Sequence, residues 1–251
     1  MNTKMLSKTD SRILACVFDP ESVQATQNVA VDPNLPEDNQ ITDREVLQRI
    51  AGRQRHAIRL IEQFEKSEQQ IDSAKDETYK AAITILDDLI AEYPDFAAAW
   101  NDRAQLRRWR YGDHNTICQN ASSIAKERAE MGAAAVRDLR TALKLAAPAR
   151  PEDSVSPKQG RLLAQSYTQL GAILLAASKD LENQDCTVVD AGFEGWTISR
   201  FEDEASQAFF LGGAYGNEVA RALAVHTNPH AKLCGSVVEE AIRREISAGL
   251  S

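Results

Sequence analysis

Two histidines and a cysteine near the C-terminus, His226, His230 and Cys234, recur at intervals of four residues. On one helix that spacing would set imidazole and thiolate ligands on a single face, the beginning of a transition-metal site. Asn228-Pro229 intervenes, and asparagine followed by proline starts a helix rather than continuing one. His226 then lies outside the helix, and the favoured reading is that His230 and Cys234 pack near the last helix. His114 and Cys118 could face each other similarly, but no third or fourth ligand is near in sequence. The four cysteines, Cys16, Cys118, Cys186 and Cys234, form no C-x-x-C pair, which disfavours a zinc framework or a disulfide scaffold. None is flanked by a nucleophile elbow. "LGGAYGNEVA" (211–220) has the glycines of a phosphate loop but lacks the Lys-Ser/Thr and the preceding strand, so it reads as a tight helix–helix turn. No catalytic residue, metal or cofactor is expected.

The basic cluster Arg103, Arg107, Arg108 and Arg110 has two readings. Arg103 and Arg107 are i,i+4 neighbours and could grip an acidic peptide through bidentate hydrogen bonds. Alternatively they pair with acids of a neighbouring helix, Asp87 or Asp138, and this is the favoured reading.

Bulk properties narrow the partner. The chain has 251 residues, a formal net charge of −8 and a pI near 5.1, which disfavours nucleic acid and anionic membrane as main partners. "MNTKMLSKTDSR" carries no apolar run of the kind a secretory leader needs. "LLAQSYTQLGAILLAAS", from Leu162, is too short and too polar to span a bilayer. A reduced, cytoplasmic or nuclear protein is expected.

The elements that must position these residues read as helices throughout. Ile13, Leu14, Val17 and Phe18 share a face of a short helix ended by Asp19-Pro20, and a linker follows to Gln40. Thr42-Asp43-Arg44-Glu45 matches a capping box opening a helix with Val46, Leu47, Ile50, Ala57, Ile58, Ile61 and Phe64 on its apolar side. After a polar break at 72–77, a second helix spans about 79–92, and Pro94 stops it. Asp95 is the expected cap of a third helix, through Trp100 to about Trp109 and ended by Gly112-Asp113. "HNTICQNASS" reads as loop, and a long helix covers about 124–146. Ser156-Pro157-Lys158-Gln159 restarts the chain with a capping box and proline in the first turn. "ENQDCTVVDAGFEGWT" (182–197) is a loop or short strand pair. Helices resume near Phe201 and after Asn228-Pro229.

Pairs of helices with this punctuation suggest a repeat. The tetratricopeptide pattern is W-x-x-L-G-x-x-Y, then A-x-x-x-F, then P. Trp100 and Ala104 fit its large and small positions, and Tyr167-x-x-Leu170-Gly171 fits better. Its second half is matched by Ala82-x-x-x-Leu86 with Pro94, by Ala135-x-x-x-Leu139 with Pro148, and by Ala205-x-x-x-Phe209. Trp100 and Tyr167 are 67 residues apart, nearly twice the period, so extra sequence must lie at about 114–131 and 149–163, and again near 180–200. The opening helix of the first repeat lacks the signature.

"AAWNDRAQLRR" resembles the "Y-N-N-R-A-Q-x-R-R" that starts the middle repeat of the tetratricopeptide repeat protein 36 family. "NPHAKLC" (228–234) is similar to that family's terminal "N-P-Y-A-x-L-C", and "VFDP" (17–20) to its N-terminal "I-F-N-P". The order along the chain agrees, as does "QSYTQLG" (165–171), so the chain looks like a divergent, longer member. The resemblance implies three repeats, a capping helix and a protein-interaction role. It also implies association with Hsp70 and, in animals, with tyrosine catabolism.

The expected fold is all-α, a tetratricopeptide-like helical-hairpin solenoid of about three repeats. An N-terminal segment (1–41) precedes repeats at about 44–94, 95–148 and 157–216 and a C-terminal capping helix at about 229–248. The first helix of each repeat would line a concave groove, with Asn101, Asp102, Gln105, Arg108, Trp109, Gln165, Thr168 and Gln169 as partner-binding residues. Clamps for a chaperone's terminal carboxylate use amides and cations. Here Asp102, Gln165 and Gln169 stand at the aligned positions, so any Hsp70 contact is expected elsewhere. The function expected is that of a non-catalytic adaptor for a protein partner, Hsp70 or a metabolic enzyme. The alternatives are an enzyme or small-molecule binder with 182–199, including Cys186 and Trp196, as a lid, and a subunit permanently buried in a complex.

Overall fold

The computed structural model describes residues 29–38, 40–68, 71–112, 116–120, 123–150, 153–182 and 186–228. The expected N-terminal helix and C-terminal capping helix lie outside these residues, as do His114, His230 and Cys234. Among the described residues seven α-helices follow one another: α1 (Arg44–Glu65), α2 (Asp72–Glu92), α3 (Ala97–Tyr111), α4 (Ser123–Ala146), α5 (Pro157–Leu181), α6 (Ile198–Ala214) and α7 (Glu218–Thr227). Each packs against its neighbours in sequence, more extensively within the pairs α1–α2, α3–α4 and α5–α6 than between them. The protein is an all-α stack of helical hairpins, with α7 laid against α6.

Local chemistry explains most boundaries. Ser156 accepts from the Gln159 amide at 3.2 Å while the Gln159 side chain accepts from the Ser156 amide at 3.4 Å, with Pro157 in the first turn of α5. Gly112, with φ of 71°, ends α3. Two caps differ from the sequence expectation. Asp43, not Thr42, caps α1, accepting from the amides of Glu45 at 2.8 Å and Val46 at 3.3 Å. Phe96, not Asp95, occupies the cap position of α3; its phenyl ring offers no cap bond and is instead wholly buried as an anchor between helices. The supposed polar break at 72–77 is the first turns of α2, where acids favour the positive helix end.

Between α2 and α3 the chain turns through Tyr93–Phe96. Trp100 closes that turn by donating from Nε1 to the Pro94 carbonyl at 2.8 Å, while Arg103 lies 4.7 Å over its ring. Ala104, four residues on, is fully buried where α3 meets its neighbours. The large residue fills the gap left by the turn, and the small one allows close approach.

The extra sequence takes three forms. Part of it lengthens α4 and α5 to 24 and 25 residues. Part of it forms a two-stranded antiparallel ribbon, β1 (Cys118–Gln119) with β2 (Thr187–Val188), so the 182–197 segment pairs with the "HNTICQNASS" segment rather than with itself. The third part, the α4–α5 connection, holds the incoming chain: Val31 bridges Val155 in parallel, and the Asp32 amide donates to the Val155 carbonyl at 2.9 Å. Val29 also donates to the Ala214 carbonyl at 3.0 Å, so from residue 29 onward the expected linker is bound to the helices.

The main core lies under α4, α5 and α6. Leu139, Ile173, Phe201 and Phe209 meet there with Ile117 and Phe193 from the inserted segments. Among the described residues, no helix is long and apolar enough to cross a membrane.

Candidate functional site

Helix α1 carries Ile58 and Ile61 one turn apart, and Ile58 is 48% exposed. A branched apolar side chain so exposed, beside the half-buried Ile61, makes this part of α1 a candidate contact surface. Opposite it, α3 presents Asp102, Gln105 and Trp109. Together with Gln54, Ala57, Glu62, Leu86 and Leu106 these enclose a hollow of about 300 Å³ between α1, α2 and α3. Gln105 and Trp109 also border a shallower recess with Arg108, Gln169, Glu65, Lys75 and Gly112, so the two hollows share one wall.

Trp109 is held in place on three sides. Its Nε1 donates to Glu65 at 2.7 Å, Phe64 meets it edge-on at 5.5 Å, and the Lys75 ammonium lies 4.9 Å over its ring. Asp102 accepts from Gln54 Nε2 at 2.7 Å, tying α1 to α3. Burial pushes the Asp102 carboxyl up to about 6, against the opposing effects of the Gln54 and Asn101 hydrogen bonds and the Lys158 charge.

Asn101 lies elsewhere than a groove would require. It is 1% exposed, on the same face of α3 as the buried Ala97 and Ala104, and its Oδ1 accepts from Ser166 at 2.9 Å and from Gln169 Nε2 at 3.2 Å. It is a cross-brace between α3 and α5, because at three- and four-residue spacing from two packed alanines it must face the neighbouring helix. Gln169 belongs partly to that brace and partly to the recess. Gln165 is exposed and borders neither hollow. Thr168 bonds back to the Ala164 carbonyl at 2.6 Å and faces Gly212 of α6. The structure thus gathers Asp102, Gln105, Arg108, Trp109 and Gln169 and leaves Asn101, Gln165 and Thr168 apart. The α1 contributors were missed because the first helix lacks the repeat signature; Ile58 and Ile61 at adjacent-turn spacing were the available signal.

The arginines resolve toward the neighbouring helix. Arg103 is bidentate to Asp138 at 2.9 and 2.7 Å and reaches Asp87 at 2.7 Å, and Arg107 Nε donates to the same Asp138 at 2.9 Å. Arg110 pairs with Asp76. Cys118 is buried, its thiol donates to the Ala177 carbonyl at 3.7 Å, and burial pushes it up to about 12. At neutral pH it is therefore a thiol rather than a nucleophilic thiolate.

No family model matches the chain, and no solved structure matches it. It is 36% identical to the L-tyrosine degradation gene cluster protein hmgX of Aspergillus fumigatus, over 96% of this chain and 93% of that one. It is 25% identical to tetratricopeptide repeat protein 36 of Danio rerio, over 96% of this chain and 95% of that one. The chain belongs to the family of these two proteins. Both alignments run nearly end to end, so the family likeness covers the inserted segments as well as the hairpins.

Proposed function

We propose that this protein is a non-catalytic adaptor of L-tyrosine degradation that holds a partner protein in the hollow between α1 and α3. The observation that carries the reading is the apolar floor of Ile58, Ile61 and Trp109 beside the acids Glu62 and Asp102. That combination suits a partner segment inserting one apolar side chain next to a lysine or arginine. The pathway comes from the printed name of the fungal relative, and the interaction role from its helical-repeat relative. The helices divide into repeats at about 44–94, 95–148 and 157–216, and the first helix of each repeat faces the partner. A metabolic enzyme fits this chemistry better than the Hsp70 C-terminus, whose terminal carboxylate would meet Asp102 instead of a cation.

The test is affinity purification from the native cell grown on L-tyrosine, comparing the wild type with Ile58→Glu/Gln105→Arg. Both positions are exposed, so helicity and Tm should stay within about 3 °C of wild type. Binding of the captured partner should weaken at least about tenfold, since a central anchor is lost and charge is added. Equal recovery of the same partner by both forms would place the docking face elsewhere.

A further inference from the structure

A second cavity, of about 550 Å³, shares no lining residue with the α1–α3 hollow and is walled by α4, α5 and the inserted segments. Its floor is apolar: Ala172, Leu175, Ala176 and Phe209. Its walls carry two cations from facing helices, Arg128 of α4 and Lys179 of α5, with Asp180 as the one acid among the described lining residues. Arg128 Nε is buried with no hydrogen-bond partner among the described residues, and neither cation forms an ion pair among them. A guanidinium nitrogen withdrawn from water without an acceptor is costly, and the cost is relieved by an anion that supplies one. Thr116 and Asn120 bring polar side chains to the same wall. The volume falls within the ordinary range for small-molecule clefts.

We propose that this cavity binds a small organic carboxylate, its carboxylate held by Arg128 and Lys179 and its apolar body laid on Leu175 between Ala172 and Ala176. A guanidinium matches a planar carboxylate through paired hydrogen bonds, and among the described lining residues two cations face one acid. The apolar floor selects an aryl or alkyl carboxylate over a bare inorganic anion. The site is independent of the α1–α3 hollow and survives if that reading fails. The ribbon β1–β2 forms its outer wall, because Cys118 and Cys186 both line it. The aromatic cluster of Phe193, Trp196 and Phe201, with centroids 4.9–5.5 Å apart, anchors the chain beyond β2. Those rings seat residues 193–201 against the core beside the cavity.

The full chain is titrated with phenylacetate by calorimetry. In parallel, alkylation of Cys186 by iodoacetamide is followed by peptide mass spectrometry, which reads that residue alone. Phenylacetate should bind at one site and slow Cys186 alkylation severalfold. The uncharged phenylacetamide and inorganic phosphate should do neither. Arg128→Gln should weaken binding about tenfold or more, in keeping with a lost charge-assisted pair. The exposed Lys179→Gln, which leaves the core untouched, should weaken it about threefold to tenfold. Absence of binding, equal protection by phenylacetamide or phosphate, or unchanged affinity in folded Lys179→Gln and Arg128→Gln would each overturn the assignment.

Discussion

Asp102 holds a carboxyl near pH 6 in a chain where most acids lie in water, and the consequence is a pH window of known sign. In the unfolded chain the group titrates near 3.8, and in the folded protein burial raises it to about 6. Well below 3.8 both states are protonated and burial costs nothing on this account. As pH rises from 3.8 to 6 the unfolded chain ionises first, so stability falls; above 6 the penalty is complete. Asp102→Asn keeps an acceptor for Gln54 and removes the penalty. Urea titration at pH 8 should show the variant about 1–3 kcal/mol more stable than wild type, with the difference falling below about 1 kcal/mol at pH 4. Asp138 presents the opposite case. It is 4% exposed and shared by Arg103 and Arg107, so Asp138→Ala removes the buried acid that joins both guanidinium groups across the α3–α4 interface and leaves Arg103 with the more exposed Asp87. A loss of about 3–5 kcal/mol is expected by urea denaturation, against less than about 1 kcal/mol for the exposed pair Lys126–Glu130.

Helix α5 meets α6 at a glycine. A Cβ on Gly171 would lie 2.9 Å from the Phe209 ring and 3.1 Å from the Ala205 carbonyl. The small position of one helix therefore receives the alanine and phenylalanine of the next, which is the physical content of the signature read from Gly171, Ala205 and Phe209. Gly171→Ala gains about 1 kcal/mol of helix propensity but must displace an aromatic ring in a packed core, costing about 1–3 kcal/mol. A fall in Tm of a few degrees is expected in thermal unfolding. That pairing was legible because a glycine at a helix centre has few other reasons to be there. The capping box at Ser156 was legible for a similar reason: its residues satisfy one another locally. The cap at Phe96 was not, because a long-range anchor outweighed the local preference of Asp95. The brace of Asn101 with Ser166 and Gln169 was also hidden, since it joins residues 65 and 68 positions apart and leaves no local periodicity. Nor could spacing alone show that two insertions pair with each other as β1 and β2.

Taken whole, the molecule is a stack in which each hairpin is supported mainly by its neighbours, so its stability should vary along the chain. The α1–α2 pair sits at one end, packed on α3 through Ile50, Leu89 and Phe96 and tied by the Gln54–Asp102 hydrogen bond. The α4–α5–α6 region has a larger core, with the ribbon and the 191–196 turn packed into it from outside. Opening of α1 and α2 leaves that core intact, whereas opening of α5 exposes it on both sides. Native-state hydrogen exchange should therefore show amides of α1 and α2 exchanging at lower free energy than those of α5 and α6. Ile50→Ala removes a fully buried side chain from the terminal hairpin and should cost about 2–5 kcal/mol there. In a one-dimensional stack that loss accelerates exchange in α1 and α2 and leaves α5 and α6 close to wild type. If Ile50→Ala instead accelerated every helix equally, the molecule would be unfolding as one cooperative block, and the hollow between α1 and α3 could not open and close for a partner without the rest of the structure.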